Sequence, residues 1–242
     1  YDTAVGEDVE LADLEEEFDA IFIGVGLGPD NELPVEGTDL DGVVGAVEFI
    51  RKLKVEPEYE LPDDLERVAV VGGGNTAIDV VREMSRLGVD DVMLVYRRDE
   101  ASMSGYDHEW KGAKQEGGRG IWRAQPTAIL GDERVEGLGC RRTRTDEQGE
   151  LEILEGTEFD IDCQAVVLAI GQSMLGDLFE DVEGLELDWG RIVVDPETGR
   201  TGNPMYYAGG DCANGGEEVV NAVQEAKIAA RGIDDYLEKA ER

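Results

Sequence analysis

The sequence is poor in three features that would each indicate a class of function: basic residues, paired cysteines and long apolar runs. Only 22 of its 242 residues are Lys or Arg, against 57 Asp and Glu, which gives a formal net charge of -35. A surface this acidic repels nucleic acid and anionic membranes, so neither is expected as a partner. The acid is spread from Glu7 to Glu241, which suggests a surface adapted to high salt, and an ordinary acidic cytosolic enzyme is the equal alternative.

The cysteines and the apolar runs exclude further classes of protein. Cys140, Cys163 and Cys212 form no Cys-x-x-Cys pair and have no metal-ligand spacing, which argues against a redox disulfide, a metal site or an iron-sulfur cluster carried by this chain alone. The longest purely apolar run, residues 165–170, is far too short to span a bilayer, and the acidic start is unlike a signal peptide. We therefore expect a soluble, cytoplasmic protein.

Hydrophobic periodicity predicts an α/β chain with an antiparallel segment in its middle. A strand over residues 20–23 enters a turn built on three glycines, but no amphipathic helix follows it. From residue 68 the pattern is that of strand, helix and strand, and a buried strand at 165–170 and a helix at 218–237 close the chain. The other predicted elements are a short helix at 44–54, a linker at 55–66, a helix at 106–116 and a meander of short strands between 121 and 161.

The clearest motif lies at residues 72–77, where Gly-Gly-Gly-Asn-Thr-Ala satisfies the pattern G-x-G-x-x-A between a strand and a helix. Gly72 permits the tight turn, Gly74 lets the backbone approach a pyrophosphate, and the alanine allows close packing of the helix on the strand. The phosphates would meet the free N–H groups at the helix start, with Asn75 or Thr76 as the helix cap. We expect a dinucleotide-binding loop here rather than a purely structural turn.

The end of the next strand predicts which dinucleotide is bound. NAD-binding domains usually place an Asp or Glu there to accept from the ribose 2′-hydroxyl, whereas this strand ends in Arg97 and Arg98. Two guanidinium groups suit a 2′-phosphate, because each can donate a bidentate pair of hydrogen bonds. We therefore expect NADPH. NADH is the alternative, because Asp99 and Glu100 follow at once and offer carboxylates to a ribose.

A second glycine-rich strand end occurs near the C-terminus. A strand at 205–208 enters a Gly-Gly pair and Asp211, and a helix opens at Glu218 or Val219. A carboxylate beside a helix start can bind ribityl hydroxyls while the helix N–H groups meet an anion or a flavin carbonyl. The alternative is an aspartate that only caps a helix.

Taken in order, these segments resemble the two-dinucleotide-binding flavoproteins, and most closely the glutamate synthase small-subunit family, which includes the NADPH-oxidising part of dihydropyrimidine dehydrogenase. The resemblance covers residues 18–237. It is carried by GVG at 24–26, VVGGGNTAIDVV at 70–81, VYRRDEASM at 95–103, LAIGQ at 168–172 and YYAGGDCANGGEEVVNAV at 206–223.

The resemblance implies two Rossmann-like dinucleotide-binding domains, with an NADPH-binding domain and its β-meander inserted into an FAD-binding domain. Residues 1–55 and 166–242 would form part of the FAD-binding domain, and residues 56–165 the NADPH-binding domain. The residues implied to contact NADPH are Gly72, Gly73, Gly74, Asn75, Thr76, Arg97 and Arg98, with Ala169, Ile170 and Gly171 on the nicotinamide side. Those implied to contact FAD are Gly24, Val25, Gly210, Asp211, Val219 and Val220.

The chain also departs from that family. The family's FAD-binding G-x-G-x-x-G and its iron-sulfur cysteines, which lie upstream of the segment equivalent to residues 18–28, have no counterpart here. The chain also begins with Tyr1 rather than Met. We therefore expect the C-terminal part of a longer reductase, with an incomplete FAD site and no activity as an isolated fragment.

The resemblance implies hydride transfer from NADPH to FAD and electron transfer to iron-sulfur centres, with a large catalytic subunit or a ferredoxin as partner. Such a reaction needs little acid-base chemistry, so no catalytic side chain is predicted, and the lone histidine, His108, is expected on a surface helix. One alternative is a thioredoxin-reductase-like enzyme, which the missing Cys-x-x-Cys disfavours. The other is a non-catalytic NADP-binding module or partner subunit of a larger reductase.

Overall fold

The computed structural model describes residues 2–240 and divides them into two compact units. One unit is Pro29–Gly171, here called the inserted unit. The other, here called the flanking unit, consists of the described residues on either side of it. The chain is therefore α/β with one unit inserted into the sequence of the other.

The secondary structure contains all the long elements expected from the periodicity. The strands are β1 (Ile21–Ile23), β2 (Val43–Gly45), β3 (Arg67–Gly72), β4 (Asp91–Tyr96), β5 (Arg119–Trp122), β6 (Ala124–Leu130), β7 (Gly137–Thr145), β8 (Leu151–Ile153), β9 (Phe159–Asp162), β10 (Ala165–Ala169), β11 (Leu187–Asp188), β12 (Arg191–Ile192) and β13 (Tyr206–Ala208). The α-helices are α1 (Leu11–Glu17), α2 (Ala46–Val55), α3 (Asn75–Arg86), α4 (Asp107–Gln115), α5 (Asp211–Asn214) and α6 (Val219–Ala240). Within residues 2–240, none of these helices combines the length and the apolar character needed to cross a membrane.

A five-stranded parallel sheet lies at the centre of the inserted unit. Its strand order is β2-β10-β3-β4-β5, and each neighbouring pair is parallel. Because β10 lies between β2 and β3, the sheet draws β2, α2 and β10 into this unit. The limits therefore differ from those expected from the sequence, which assigned residues 1–55 and 166–242 to the other domain. Residues 56–66 connect α2 to β3 within the inserted unit and are not a domain boundary.

Alternate residues of this sheet face two different cores. Val68 and Val70 of β3 and Leu94 of β4 pack with residues of helices α2, α3 and α4. Ala69 and Val71 of β3 face the opposite side and pack with residues of the antiparallel strands. Successive side chains of a strand point to opposite faces, so a strand buried on both sides needs an apolar residue at every position. This requirement explains the unbroken apolar run that begins the dinucleotide motif.

The face opposite the helices is covered by antiparallel strands. β7 pairs with β6, β8 and β9, which agrees with the meander expected between residues 121 and 161. The expected run at 121–129 is divided, however, because β5 completes the parallel sheet and β6 begins the antiparallel one. The chain changes sheets at Arg123, whose φ of +54° lies in the left-handed region.

The flanking unit is built around two parallel strands. β1 pairs with β13, with Ile21 opposite Tyr206, and α6 packs against β13. Ile23 and Tyr206 lie in the core of this unit together with Phe179 and Ile192. The short helix α5 follows β13 directly, where the sequence predicted only a loop before the last helix.

Candidate functional site

A cavity of about 830 Å³ opens at the carboxyl ends of β3, β4 and β10 in the inserted unit. This is the edge at which open α/β sheets bind ligands, and the volume is within the usual range for cofactor sites. Among the expected NADPH contacts, Asn75 and Arg98 do not line this cavity, whereas the other eight do. The lining residues are Asn31, Glu32, Leu33, Pro34, Val71, Gly72, Gly73, Gly74, Thr76, Val95, Tyr96, Arg97, Ser104, Gln125, Pro126, Ala169, Ile170 and Gly171.

The glycine-rich turn is packed so closely that side chains are excluded at two of its positions. Gly72 has a φ of +153°, and a Cβ there would collide with the carbonyl oxygen of Ala169. A Cβ on Gly73 would lie 2.5 Å from Cε2 of Tyr96. Gly74 differs, because the nearest atom to its Cβ would be Oγ of Ser104 at 3.6 Å. The turn therefore presents open backbone to the cavity at Gly74.

The start of α3 has no side-chain cap. Gly74 is the N-cap residue, and Asn75 and Thr76 are the first two residues of the helix, so the expectation that either of them caps it is wrong. Oδ1 of Asn75 instead accepts a hydrogen bond of 2.8 Å from the backbone N–H of Tyr106. The first N–H groups of a helix have no partner within the helix, so here they remain available to an anion.

The segment after β4 folds over this turn, a contact that the sequence reasoning missed. The backbone N–H of Gly105 donates to the carbonyl oxygen of Gly73 at 3.0 Å, and the Oγ of Ser104 donates to the same oxygen at 3.4 Å. A Cβ on Gly105 would lie 2.5 Å from Cδ1 of Ile78. The glycine at position 105 could have indicated this contact, because a residue without a side chain lets two backbone segments approach closely.

The two arginines at the end of β4 point in different directions. Arg97 is exposed and lines the cavity, whereas Arg98 is half-buried and does not. Nε of Arg98 is buried and has no hydrogen-bond partner among the described residues. The main chain of this pair is fixed, since Thr143 Oγ1 donates to the Arg97 carbonyl at 2.5 Å and the Arg123 N–H donates to the Arg98 carbonyl at 2.9 Å.

The two carboxylates that offered an alternative ribose acceptor are both engaged within the protein. Asp99 accepts from the backbone N–H and the hydroxyl of Ser102, at 3.1 and 2.6 Å. The Ser102 hydrogen bonds, and more weakly Arg123, hold the pKa of Asp99 below its usual value. Glu100 accepts from Nε1 of Trp110 at 3.1 Å and from Nζ of Lys114 at 2.5 Å. A ribose hydroxyl would have to compete with these donors.

The three cysteines are buried and unpaired. Burial raises the pKa of Cys140 and of Cys163 to about 12 and also raises the pKa of Cys212. The thiolate is the reactive form of cysteine, so these three side chains are poor nucleophiles at neutral pH. No cluster of His, Cys, Asp and Glu that could hold a metal ion occurs among residues 2–240.

The residues expected on the flavin side lie in the flanking unit, where adjacent parallel strands bring two segments together. Gly24 and Val25 follow β1, and Gly210 and Asp211 follow β13 at the same edge of the sheet. The Gly210 N–H is already bonded, because it donates to Oε2 of Glu225 at 2.6 Å. Glu225 also accepts from the Asn214 side chain, and sequence reasoning did not identify it.

Asp211 and the start of α6 complete this second group of residues. Oδ1 of Asp211 accepts a hydrogen bond from the backbone N–H of Glu217 at 3.3 Å. The carboxylate therefore has a structural role in the loop before α6, which is close to the alternative of an aspartate that only caps a helix. Val219 and Val220 are 78% and 73% exposed, which leaves the first turn of α6 apolar and open.

Residues 3–226 match the family model of the pyridine nucleotide-disulphide oxidoreductases. The chain belongs to this family. Oxidoreductases of this kind are what the sequence motifs predicted, and the recognition of the family from sequence is confirmed.

Two curated relatives illustrate the range of proteins that this chain resembles. It is 38% identical to the glutamate synthase (NADPH) small chain of Halomonas elongata, over 97% of this chain and 53% of that protein. It is 37% identical to the NADP(+)-dependent formate dehydrogenase subunit beta of Moorella thermoacetica, over 97% of this chain and 34% of that protein. The chain therefore spans about half or one third of the length of these relatives.

The chain also resembles in fold a solved structure, Mycobacterium tuberculosis FprA in complex with NADPH. The TM-score is 0.76 and the identity 22%, over 98% of this chain and 68% of that one. At this identity the likeness concerns the fold alone, and the expected α/β, Rossmann-like fold is confirmed.

Proposed function

We propose that this chain binds NADPH in the cavity of the inserted unit and takes part in hydride transfer from NADPH to FAD. The observation that carries the proposal is the cavity itself. It joins the side-chain-free turn at Gly72–Gly74 to Arg97 on one side and to Ala169–Gly171 on the other. A dinucleotide needs these three environments: a backbone cradle for its pyrophosphate, a cation for its 2′-phosphate and a small-residue wall for its nicotinamide.

The residues of the inserted unit fit NADPH. Gly74 offers open backbone at the N-terminus of α3, where the helix dipole and the unpaired N–H groups favour phosphate. Arg97 lies at the end of β4, where a domain of this type meets the adenosine ribose. Asp99 and Glu100 are occupied by Ser102 and Lys114, respectively, which disfavours NADH. We propose NADPH over NADH for this reason.

The residues of the flanking unit fit part of FAD. Val219 and Val220 offer an apolar helix start to a flavin ring, and Asp211 offers a carboxylate to ribityl hydroxyls. In the described part of this unit, β1 is followed by Gly24 and Gly26, but this glycine-rich turn does not lead into a long helix. We infer that flavin binding needs residues beyond those described here, and that this chain alone holds FAD weakly.

When both cofactors are bound, the nicotinamide supplies a hydride and the flavin accepts it. The work of this chain is then to bind and orient. Gly72 and Gly74 would hold the backbone close to the pyrophosphate, Gly171 would leave room beside the nicotinamide, and the segment at Ser104 and Gly105 packs over the turn. Hydride transfer gains most from such positioning, so the proposed reaction assigns no proton transfer to Glu32 or Tyr96, the two cavity-lining residues with a carboxyl or phenol group.

We further propose that the electrons leave through iron-sulfur centres of a larger assembly, in a large catalytic subunit or a ferredoxin. This proposal is supported by the names of the two relatives, a small chain and a subunit beta, each of which is longer than this chain. A second candidate is an NADP-binding module that carries no flavin. The observation that favours it is the two-stranded parallel sheet of the flanking unit, which is small for a cofactor-binding domain.

Titration of the purified chain with NADPH and with NADH tests the proposed cofactor. We expect tighter binding of NADPH, and loss of that preference when Arg97 and Arg98 are both replaced by alanine. Arg119→Ala is the matched control, because Arg119 pairs with Asp91 at the opposite end of the sheet. Equal affinity for the two nucleotides in the wild-type chain would contradict the proposal. An absorption spectrum after addition of FAD separates the flavoprotein from the NADP-binding module.

A further inference from the structure

The backbone of Arg123 is held in an unusual conformation beside the two strand-end arginines. Its φ of +54° makes it one of few residues other than glycine in the left-handed region, which arginine rarely adopts. The Arg123 N–H donates to the carbonyl oxygen of Arg98 at 2.9 Å, and its own carbonyl oxygen accepts from the N–H of Thr143 at 3.1 Å. A strained backbone of this kind persists where its surroundings fix it, and it is a reason to look for a function.

The same threonine ties Arg123 to the cavity-lining arginine. Thr143 is 3% exposed, and while its N–H holds Arg123, its Oγ1 donates to the carbonyl oxygen of Arg97. Arg97, Arg98 and Arg123 are therefore joined through direct main-chain hydrogen bonds and one buried threonine. In a chain with 22 basic and 57 acidic residues, three arginines fixed to one another in this way are a local exception to the charge of the surface.

The guanidinium of Arg123 lies beside Asp99, directly after the two arginines that follow β4, and it is lightly restrained. Its Nη2 lies 3.5 Å from Oδ2 of Asp99, and its side chain is 60% exposed. An exposed ion pair at this distance is weak, so the guanidinium can leave it for a more highly charged partner at little cost. Asp99 keeps its two hydrogen bonds from Ser102 in either case. The pair also places a positive charge against Asp99, one of the two carboxylates after this strand end that would repel a phosphate.

We propose that Arg123 supplies a further guanidinium to the 2′-phosphate site, which it completes together with Arg97. The inference rests on the proposed binding of NADPH and goes beyond it, because it names a residue outside the strand-end pair that the sequence motif contains. Arg123 lies at the junction of β5 and β6, so its guanidinium comes from a different segment of the chain from that of Arg97, which follows β4. Two guanidinium groups from different strands can hold a phosphate from two directions.

The test measures binding of adenosine 2′,5′-bisphosphate and of 5′-AMP to the purified chain by calorimetry. Arg123→Gly removes the guanidinium and relieves the left-handed strain, so the variant should fold at least as stably as the wild type. We expect Arg123→Gly to bind the bisphosphate about tenfold more weakly, which corresponds to the loss of one charge-assisted contact, and to bind 5′-AMP unchanged. Arg123→Lys keeps the positive charge but lacks the planar guanidinium, so its affinity for the bisphosphate should lie between those of the wild type and Arg123→Gly.

Arg119→Gln is the matched control, because it removes an arginine from the other end of β5 and should change neither affinity. If the wild type prefers the bisphosphate and Arg123→Gly keeps that preference in full, Arg123 is not part of the site, while the proposed NADPH binding stands. If the wild type binds the bisphosphate and 5′-AMP equally, the proposed cofactor preference is itself wrong, and the role of Arg123 is overturned with it.

Discussion

Oδ1 of Asn75, in the first turn of α3, accepts a hydrogen bond of 2.8 Å from the backbone N–H of Tyr106. The side chain that could have capped its own helix thus holds the segment that follows β4. As a result, Ser104 and Gly105 pack over the glycine-rich turn, and the first N–H groups of α3 remain available to bind a ligand.

Replacement of Asn75 by alanine should loosen this cover. One hydrogen bond of this kind contributes about 1 kcal/mol, so the segment should open roughly five times more often. The measurement is amide hydrogen exchange at Gly105 and Tyr106 without nucleotide, where exchange in Asn75→Ala should be faster. Asn75→Asp keeps an acceptor oxygen and should retain the protection. Identical exchange in the alanine variant and the wild type would show that the contact does not restrain the segment.

The glycine-rich turn allows a comparison of two neighbouring substitutions. Gly72→Ala should destabilise the chain by about 2 kcal/mol or more, because φ is +153° and the added Cβ would collide with the Ala169 carbonyl. Gly74→Ala should leave thermal stability nearly unchanged, since its φ is -94° and the nearest atom to its Cβ is 3.6 Å away.

NADPH binding provides a second measurement on the Gly72→Ala and Gly74→Ala variants. Gly74→Ala should weaken NADPH binding although it folds, because the methyl group occupies the approach to the pyrophosphate. Melting curves and NADPH titrations of both variants check this pair of expectations. A Gly74→Ala chain that binds NADPH as tightly as the wild type would indicate that the phosphates do not meet the backbone there.

The strand-helix-strand at the centre of the site could be predicted from sequence because its signals are local. β3, the turn and α3 follow one another within twenty residues, and their apolar spacing specifies them. The position of β10 could not be predicted in this way, because Val166 pairs with Ala69 almost a hundred residues away. A buried strand has the same apolar pattern in either unit, and the sequence analysis placed the domain limit before residue 166, whereas the two compact units divide after Gly171.

The side chains around the cavity were less predictable than the backbone. The sequence showed Arg97 and Arg98 as one pair, but both residues follow the end of β4, and only Arg97 lines the cavity while Arg98 is half-buried. In α6 the apolar spacing predicted one buried face, whereas Val219, Val220 and Val223 are exposed and Ala229 is buried. Periodicity marks where apolar residues lie and does not state which of them find a partner.

Glu116 should make stability depend on pH in the acid range. It accepts from Arg82 at 3.0 and 3.1 Å and from Arg86 at 2.8 Å, and these hydrogen bonds lower the pKa of Glu116 to about 2. A carboxylate with a depressed folded-state pKa stabilises the fold above its unfolded pKa, and the contribution is lost as the pH falls through the folded value.

Glu116→Gln should therefore lower the melting temperature at pH 7, and the difference from the wild type should shrink between about pH 4.5 and pH 2. Glu147→Gln, on an exposed turn of the meander, serves as the control and should show no such convergence. A constant difference down to pH 2 would mean that the charge of Glu116 is not what stabilises the pair of helices.

The three cysteine thiols should be unreactive in the folded chain. Because burial raises the pKa of Cys140 and Cys163 to about 12, reaction with a thiol reagent at pH 8 should be slow and should become complete on unfolding. Replacement of each cysteine by alanine should leave NADPH binding unchanged. Rapid reaction of any thiol in the native state, together with loss of binding, would favour the thioredoxin-reductase-like alternative.

The charge of the surface predicts a dependence on salt. With a formal net charge of -35, the folded chain is subject to repulsion that falls as the screening length shrinks from about 10 Å at 0.1 M salt to about 3 Å at 1 M. The melting temperature should therefore rise steeply in sodium chloride up to about 1 M and then level off.

Potassium chloride should act in the same way, because screening depends on ionic strength and not on the cation. Sucrose, which strengthens burial without screening, should give no such plateau. A chain equally stable at low and at molar salt would remove the hypothesis of a surface adapted to high salt.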